Sequence, residues 1–182
     1  LPQAPYISLG KKTIKDSEYM KSLIKNIERK IDYPCFVKPA NLGSSIGITK
    51  AYSKEELLNG IDRAESYDER IIIEKYINGR ELECAVLGKS RIDTSVIGEV
   101  KFRGDWYNYE AKYNQGLSEI IIPADINIEI SKKIKLLSVQ AFNAINAYGL
   151  ARVDFFYEES TQKVYINEVN TLPGFTNTSM YP

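Results

Sequence analysis

The chain has 182 residues, 43% of them hydrophobic, enough to bury a core as one domain or as two joined lobes. Its 24 lysines and arginines balance 24 aspartates and glutamates, and no apolar run approaches the roughly 20 residues that span a bilayer, so neither nucleic acid nor a membrane is expected as partner and a soluble, cytoplasmic protein is. Histidine is absent, which removes Ser-His-Asp and Cys-His catalysis and histidine zinc sites and leaves Lys, Arg, carboxylates, hydroxyls and backbone amides, a set suited to phosphoryl transfer.

Residues 1–6 read as an extended lead-in, and residues 179–182 follow a glycine-containing turn; such ends predict a segment of a longer chain. Tyr19, Met20, Leu23, Ile24 and Ile27 recur at helical spacing, predicting a helix over 16–30 with Asp16 as N-cap and Pro34 beyond its end. Residues 35–38 and 46–50 predict two strands of a hairpin around the turn at 41–45. Ser53 with Glu56 three residues on is a capping box, opening a helix to about residue 67. Strands are expected over 70–76, 81–88 and 91–100, and Cys35 and Cys84, each inside an apolar strand, read as small buried hydrophobes with free thiols. Residues 101–116 are polar, aromatic and without period, the mark of a long functional loop. A strand over 119–122, a helix over 126–147 and an antiparallel pair over 149–157 and 163–170 complete an α+β pattern rather than a doubly wound sheet.

Four constellations carry chemistry. On the last two strands, alternation puts Glu168 and Asn170 on one face with Val169 opposite, and Asp154 and Arg152 of the neighbouring strand can join them. Two carboxylates and an amide oxygen suit Mg²⁺, with Arg152 offsetting charge beside it; an ordinary polar strand face would also explain these residues. Lys38 ends an apolar strand beside the glycine-serine turn 43–47, which offers amides and hydroxyls to phosphate or is a plain hairpin turn. The strand 71–73 runs into Glu74, and the turn at Asn78-Gly79 precedes Glu81, as in a connection between two lobes or an ordinary strand and turn. Finally, Tyr107, Tyr109, Glu110, Lys112 and Tyr113 crowd one loop of the kind that closes over a reaction; stacking on single-stranded nucleic acid is the lesser reading for a chain of zero net charge.

In this order the four segments resemble the D-alanine–D-alanine ligases of the ATP-grasp superfamily, over essentially the whole chain. The resemblance implies a fold in which two α+β lobes, residues 1–76 and 77–182, clasp ATP between antiparallel sheets. It implies that Lys38 and Lys112 hold ATP phosphates, that Glu74 meets the adenine amino group, that the backbone of the segment Lys75, Tyr76 and Ile77 reads the ring edge, and that Glu81 takes the ribose hydroxyls. Asp154, Glu168 and Asn170 would hold two Mg²⁺ ions, or Mn²⁺. Arg152 with the Gly174 amide would stabilise an oxyanion, Ser44 would sit on a turn closing over the site, Tyr113 would mark dipeptide-forming members, and Ser179 and Met180 would receive the second D-alanine. The implied reaction joins two D-alanines through an acyl phosphate for peptidoglycan synthesis, in an enzyme commonly dimeric whose N-terminal domain lies outside this segment. Without that domain the segment should bind nucleotide weakly and catalyse little. A D-Ala–D-Ser ligase, an ATP-grasp ligase of other substrates and a non-catalytic nucleotide-binding module are the competing expectations.

Overall fold

The computed structural model describes residues 1–10, 17–43, 45–102, 118–176 and 179–182. The chain divides into two compact units at Tyr76 and Ile77, with Leu1–Gln3 belonging to the second unit. Among the described residues no helix is long and apolar enough to cross a membrane.

The first unit holds a four-stranded antiparallel sheet of β1 (Tyr6–Gly10), β2 (Cys35–Pro39), β3 (Thr49–Ala51) and β4 (Arg70–Lys75), in the order β1-β4-β2-β3, with helices α1 (Ser17–Lys30) and α2 (Lys54–Glu65). Its core joins Leu23, Ile27 and Ile31 of the α1 region, Leu57 and Ile61 of α2, and Cys35, Val37, Ile71 and Ile73 of the sheet. The period-two alternation of β2 buries Cys35, Val37 and Pro39 and leaves Phe36 and Lys38 on the open face. Helix α1 ends where Asp32 takes a left-handed φ of 64° and donates its N–H to Ile27 O at 3.1 Å, a geometry aspartate tolerates. Tyr19, expected on the apolar stripe, is exposed instead. Helix α2 starts as predicted: Ser53 accepts from Glu56 N–H at 3.2 Å, while the Glu56 carboxylate reaches back to Tyr52 N–H at 2.7 Å, one residue before the cap.

Two expectations for this unit fail. Residues 6–10, read as lead-in and unassigned sequence, form β1, which pairs along the edge of β4 from Tyr6↔Glu74 to Gly10↔Arg70 and buries only Leu9 deeply. The strand expected over 46–50 shrinks to β3, because Ser45 and Gly47 adopt positive φ (59° and 73°) and Ile46 N–H and Ile48 N–H bond back to Gly43 O and Ser45 O. A Cβ on Gly47 would stand 2.8 Å from Pro39 Cγ and 2.9 Å from Tyr67 Cδ2, so the turn needs glycine there for space as well as for φ.

The second unit holds a five-stranded antiparallel sheet of β5 (Arg80–Gly88), β6 (Ile92–Phe102), β7 (Ser118–Ile121), β8 (Gly149–Glu158) and β9 (Lys163–Asn170), in the order β7-β6-β5-β8-β9, with helix α3 (Ile128–Ala144) packed on one face. Asn127 caps α3 by accepting from Ile130 N–H at 2.8 Å, and the helix stops short of the predicted residue 147 because Asn146 turns to a φ of 53°. Ile130, Ile134, Leu137, Ala141 and Phe142 cover Leu82, Cys84 and Val86 of β5 and Ala151, Val153 and Phe155 of β8. Both cysteines are buried free thiols, as expected.

Candidate functional site

Each unit carries its own polar cluster on a sheet face. In the first unit, β2 and β4 pair antiparallel with Phe36 opposite Glu74 and Lys38 opposite Ile72, which sets Lys38 and Glu74 diagonally on the open face. Their ion pair closes to 2.5 Å, with about one fifth of each side chain exposed (21% and 20%). The two residues expected at opposite ends of a nucleotide thus stand side by side. Lys75 is exposed and its N–H bonds Pro5 O at 2.9 Å. Tyr76 N–H donates to Pro34 O at 3.3 Å, which ties the end of β4 to the residue before β2. Where the glycine-serine turn begins, Asp68 accepts from Asn41 N–H at 2.7 Å and from Asn41 Nδ2 at 2.9 Å, and its pKa is lowered first by the bond from Arg70 N–H and then by those from Asn41. Ser44, Lys112 and Tyr113 lie outside the described residues.

In the second unit, the face of the sheet turned away from α3 gathers Arg152 and Asp154 from β8, Glu168 and Asn170 from β9, and Glu83 from β5. The registers Glu83↔Asp154, Asp154↔Glu168 and Arg152↔Asn170 place them in adjacent rows. Strict alternation would have put Glu168 on the core face with Val164 and Ile166, both buried. A bulge prevents this: Phe155 pairs with Ile166 but Asp154 pairs with Glu168, so β9 advances two residues while β8 advances one, and Glu168 and Asn170 turn to the Asp154 side.

The Arg152 guanidinium donates from Nε and Nη2 to the two Asp154 oxygens, both at 2.7 Å, and Nε also lies 2.9 Å from Glu83 Oε2. Asn170 Nδ2 donates to Asp154 Oδ2 at 3.0 Å and Glu168 Oε1 at 3.2 Å. One guanidinium thus faces three carboxylates. Burial, and then the charge of Asp154, pushes the Glu83 carboxyl up to about 8, and burial raises Asp154 as well against the pull of Arg152. Such excess negative charge, on oxygen donors at a sheet face, fits a hard divalent cation. Among the described residues no three His, Cys, Asp or Glu side chains already stand in a coordinating cluster. The donor set here is two carboxylates and an amide, and the amide would have to turn its Oδ1, in place of Nδ2, toward the carboxylates to serve as ligand.

Glu83 escaped the sequence reading, although its signal was legible. In the run Glu81-Leu82-Glu83-Cys84, the buried Leu82 and Cys84 define the core face and leave two glutamates on the other. Glu81 lines a cleft of about 470 Å³ with Gly79, Glu99, Lys101, Asp125 and Glu159. At that cleft Arg80 donates to both oxygens of Glu99 (2.8 and 2.7 Å), to Asp125 O and to Glu159, tying the start of β5 to β6. Ile77 is buried. At the end of the chain, Ser179 Oγ accepts from Thr176 N–H at 3.1 Å, and a Cβ on Gly174 would meet that oxygen at 2.8 Å, so Gly174 and Ser179 share one tight turn. Met180 Sδ packs where a Cβ on Gly98 of β6 would be, 2.7 Å away.

The family model described as D-ala D-ala ligase C-terminus matches residues 1–182. The D-alanine–D-alanine ligase of Prochlorococcus marinus (strain NATL1A) is 69% identical over the whole chain, and that of Synechococcus sp. (strain WH7803) 48% identical. The chain spans about half the length of these curated relatives, 52% of each. Among solved structures, the VanG D-Ala:D-Ser ligase from Enterococcus faecalis superposes on the whole chain with a TM-score of 0.84 at 36% identity, covering 51% of that protein. The D-alanine-D-alanine ligase from Coxiella burnetii does so at 0.79 and 31%, covering 46%. With two antiparallel sheets and three helices among the described residues, the chain has the α+β, ATP-grasp architecture of these ligases. It belongs to the D-alanine–D-alanine ligase family, whose C-terminal part it matches along its entire length.

Proposed function

We propose that the longer protein containing this chain joins two D-alanine molecules into D-alanyl-D-alanine, coupled to conversion of ATP to ADP and phosphate, for peptidoglycan precursor synthesis. The observation that carries this reading is the convergence of Arg152, Asp154, Glu168 and Asn170 on one face, produced by the β8–β9 bulge in a chain 69% identical to a D-alanine–D-alanine ligase. The carboxylate of the first D-alanine attacks the γ-phosphorus of ATP, the bond to the β-phosphate oxygen breaks and ADP leaves. The amine of the second D-alanine then attacks the acyl phosphate, a C–N bond forms, and phosphate leaves as the amine sheds a proton.

Each residue has a physical task in this scheme. Lys38 exchanges its pairing with Glu74 for a phosphate oxygen, a swing within reach of a long flexible side chain, and Glu74 is then left to accept from the adenine amino group. Glu81, on the sheet face it shares with Glu83, takes the ribose hydroxyls. Asp154, Glu168 and Asn170 would hold Mg²⁺, which when bound supplies charge neutralisation for the triphosphate. Arg152, fixed by Asp154 and Glu83, aims its guanidinium at the oxygen that gains charge as the acyl carbon becomes tetrahedral, and the Gly174 amide adds a second donor. Ser44, Lys112 and Tyr113 complete the set as turn serine, second phosphate lysine and substrate-end tyrosine. Ser179 and Met180 lie at the second-substrate end.

The test is phosphate release by the longer protein, purified with its preceding domain, from ATP in the presence of D-alanine, L-alanine or D-alanine plus D-serine. Release that requires D-alanine and yields the D-Ala–D-Ala dipeptide supports the reading; equal turnover with L-alanine sinks it. Likeness to the D-Ala:D-Ser ligase from E. faecalis favours one second reading, and predominance of the mixed dipeptide in the D-serine arm would establish it. Glu168→Gln should abolish turnover with the far-ultraviolet circular dichroism unchanged, since it removes a charged ligand without changing shape.

A further inference from the structure

On the open face of the first unit, the Lys50 ammonium is ringed by three aromatic side chains: it lies 3.8 Å from the Tyr76 ring centroid, 5.3 Å from Tyr52 and 5.9 Å from Phe36. The sheet register makes this arrangement. Phe36 is opposite Lys50 on β3 and opposite Glu74 on β4, so Lys50, Phe36 and Glu74 form one row across the sheet, and Tyr76 follows just past the end of β4. The edge of Phe36 meets the Tyr76 ring at 6.0 Å and 61°, and the Tyr76 backbone N–H is bonded to Pro34 O. Tyr76 is also the last residue of the first unit before the chain passes into the second.

Lys50 is half-buried, and an aliphatic residue would fill the space between the rings without placing a charge there. What the cation adds is direction, because the attraction acts along the normal to the ring face and so favours one orientation of the tyrosine. We propose that Lys50 is a positioning residue for nucleotide binding: without touching ATP, it clamps Tyr76 and so sets the backbone of residues 75–77 that receives the adenine. This inference rests on the nucleotide reading above. It assigns Lys50 a role in ATP affinity and none in the chemistry of the two D-alanines.

The experiment compares Lys50→Met and Lys50→Arg with wild type in the longer protein, reading KM for ATP, KM for D-alanine, kcat and thermal midpoint. Lys50→Met should raise KM for ATP about 5- to 30-fold, the range a partly desolvated cation–aromatic contact spans, with kcat and KM for D-alanine within about two-fold. Lys50→Arg, which keeps the cation, should recover KM for ATP to within about three-fold of wild type. The proposal is overturned if Lys50→Met leaves KM for ATP unchanged, if it lowers only kcat and the thermal midpoint, or if Lys50→Arg behaves like Lys50→Met. Should Lys50→Met fail to fold, Tyr52→Leu, which opens one wall of the ring of aromatics, must raise KM for ATP by a smaller factor, and no rise overturns the proposal. A wild-type protein that neither binds nor turns over ATP would instead bring down the nucleotide reading, and this inference with it.

Discussion

Replacing Gly47 by alanine perturbs the glycine-serine turn at the position where geometry leaves least room. The φ of 73° costs a residue with a Cβ roughly 1–2 kcal/mol, and displacing the Pro39 ring, which would stand 2.8 Å from the new methyl group, adds roughly 1–3 kcal/mol. Stiffening of the unfolded chain returns roughly 0.4–1 kcal/mol, for a net loss of about 3 kcal/mol at the centre of these ranges. In a urea titration followed by circular dichroism, with a slope of about 2 kcal/mol per molar, that is a fall in midpoint of about 1–2 M at unchanged slope. Gly43→Ala is the internal control, because its Cβ would meet nothing within 4 Å, and it should stay within about 0.5 kcal/mol of wild type. The two glycines are equivalent members of the turn by sequence. Equal midpoints for the two variants would refute the claim that close approach and φ at Gly47 hold this turn.

Two further outcomes are expected. Arg80→Met leaves the Glu99 carboxylate, 1% exposed, without its guanidinium and should cost about 3–5 kcal/mol by denaturant titration, whereas Arg80→Met with Glu99→Leu should lose less than Arg80→Met alone; a double variant at the sum of the two singles would refute the coupling. Burial raises the Cys35 thiol from 9.0 to about 11, so the folded state holds that proton more tightly than the unfolded chain does. The resulting stabilisation, about 2–3 kcal/mol, is present in full below pH 9 and is lost as pH climbs toward 11. Unfolding free energies measured across that window should fall more steeply for wild type than for Cys35→Val, and parallel curves would contradict the assignment.

Much of the fold could be read from local pattern. The three helices among the described residues were located to within a few residues: apolar spacing marked α1, the Ser53–Glu56 capping box opened α2, and α3 was placed without its Asn127 cap, one or two residues early at its start and three late at its end. The long strands were legible because alternating burial is a property of the strand itself. Strand β1 was not: it is short, it buries one side chain deeply, and its partner β4 is remote in sequence, so nothing local distinguishes it from an extended lead-in. The shortened β3 has a similar origin, since apolar Ile46 and Ile48 resemble strand residues and only the backbone shows Ser45 and Gly47 turning away.

For the site, residue types and their order along the chain brought forward Lys38, Glu74, Arg152, Asp154, Glu168 and Asn170 beside ordinary strand and turn readings, and the resemblance to the ligase family is what gave them roles. Tertiary structure alone decided which of them meet. It paired Lys38 with Glu74, drew Glu83 in from β5 to share Arg152, and placed Lys50 among three rings. It also supplied the bulge that turns Glu168 away from the core, which strict alternation from Ile166 would not have done. Sequence determines which faces can be apolar and which groups can react, since both are properties of single residues and their spacing. Register, bulges and partners between strands remote in sequence depend on how whole sheets close, and there the molecule's chemistry is assembled.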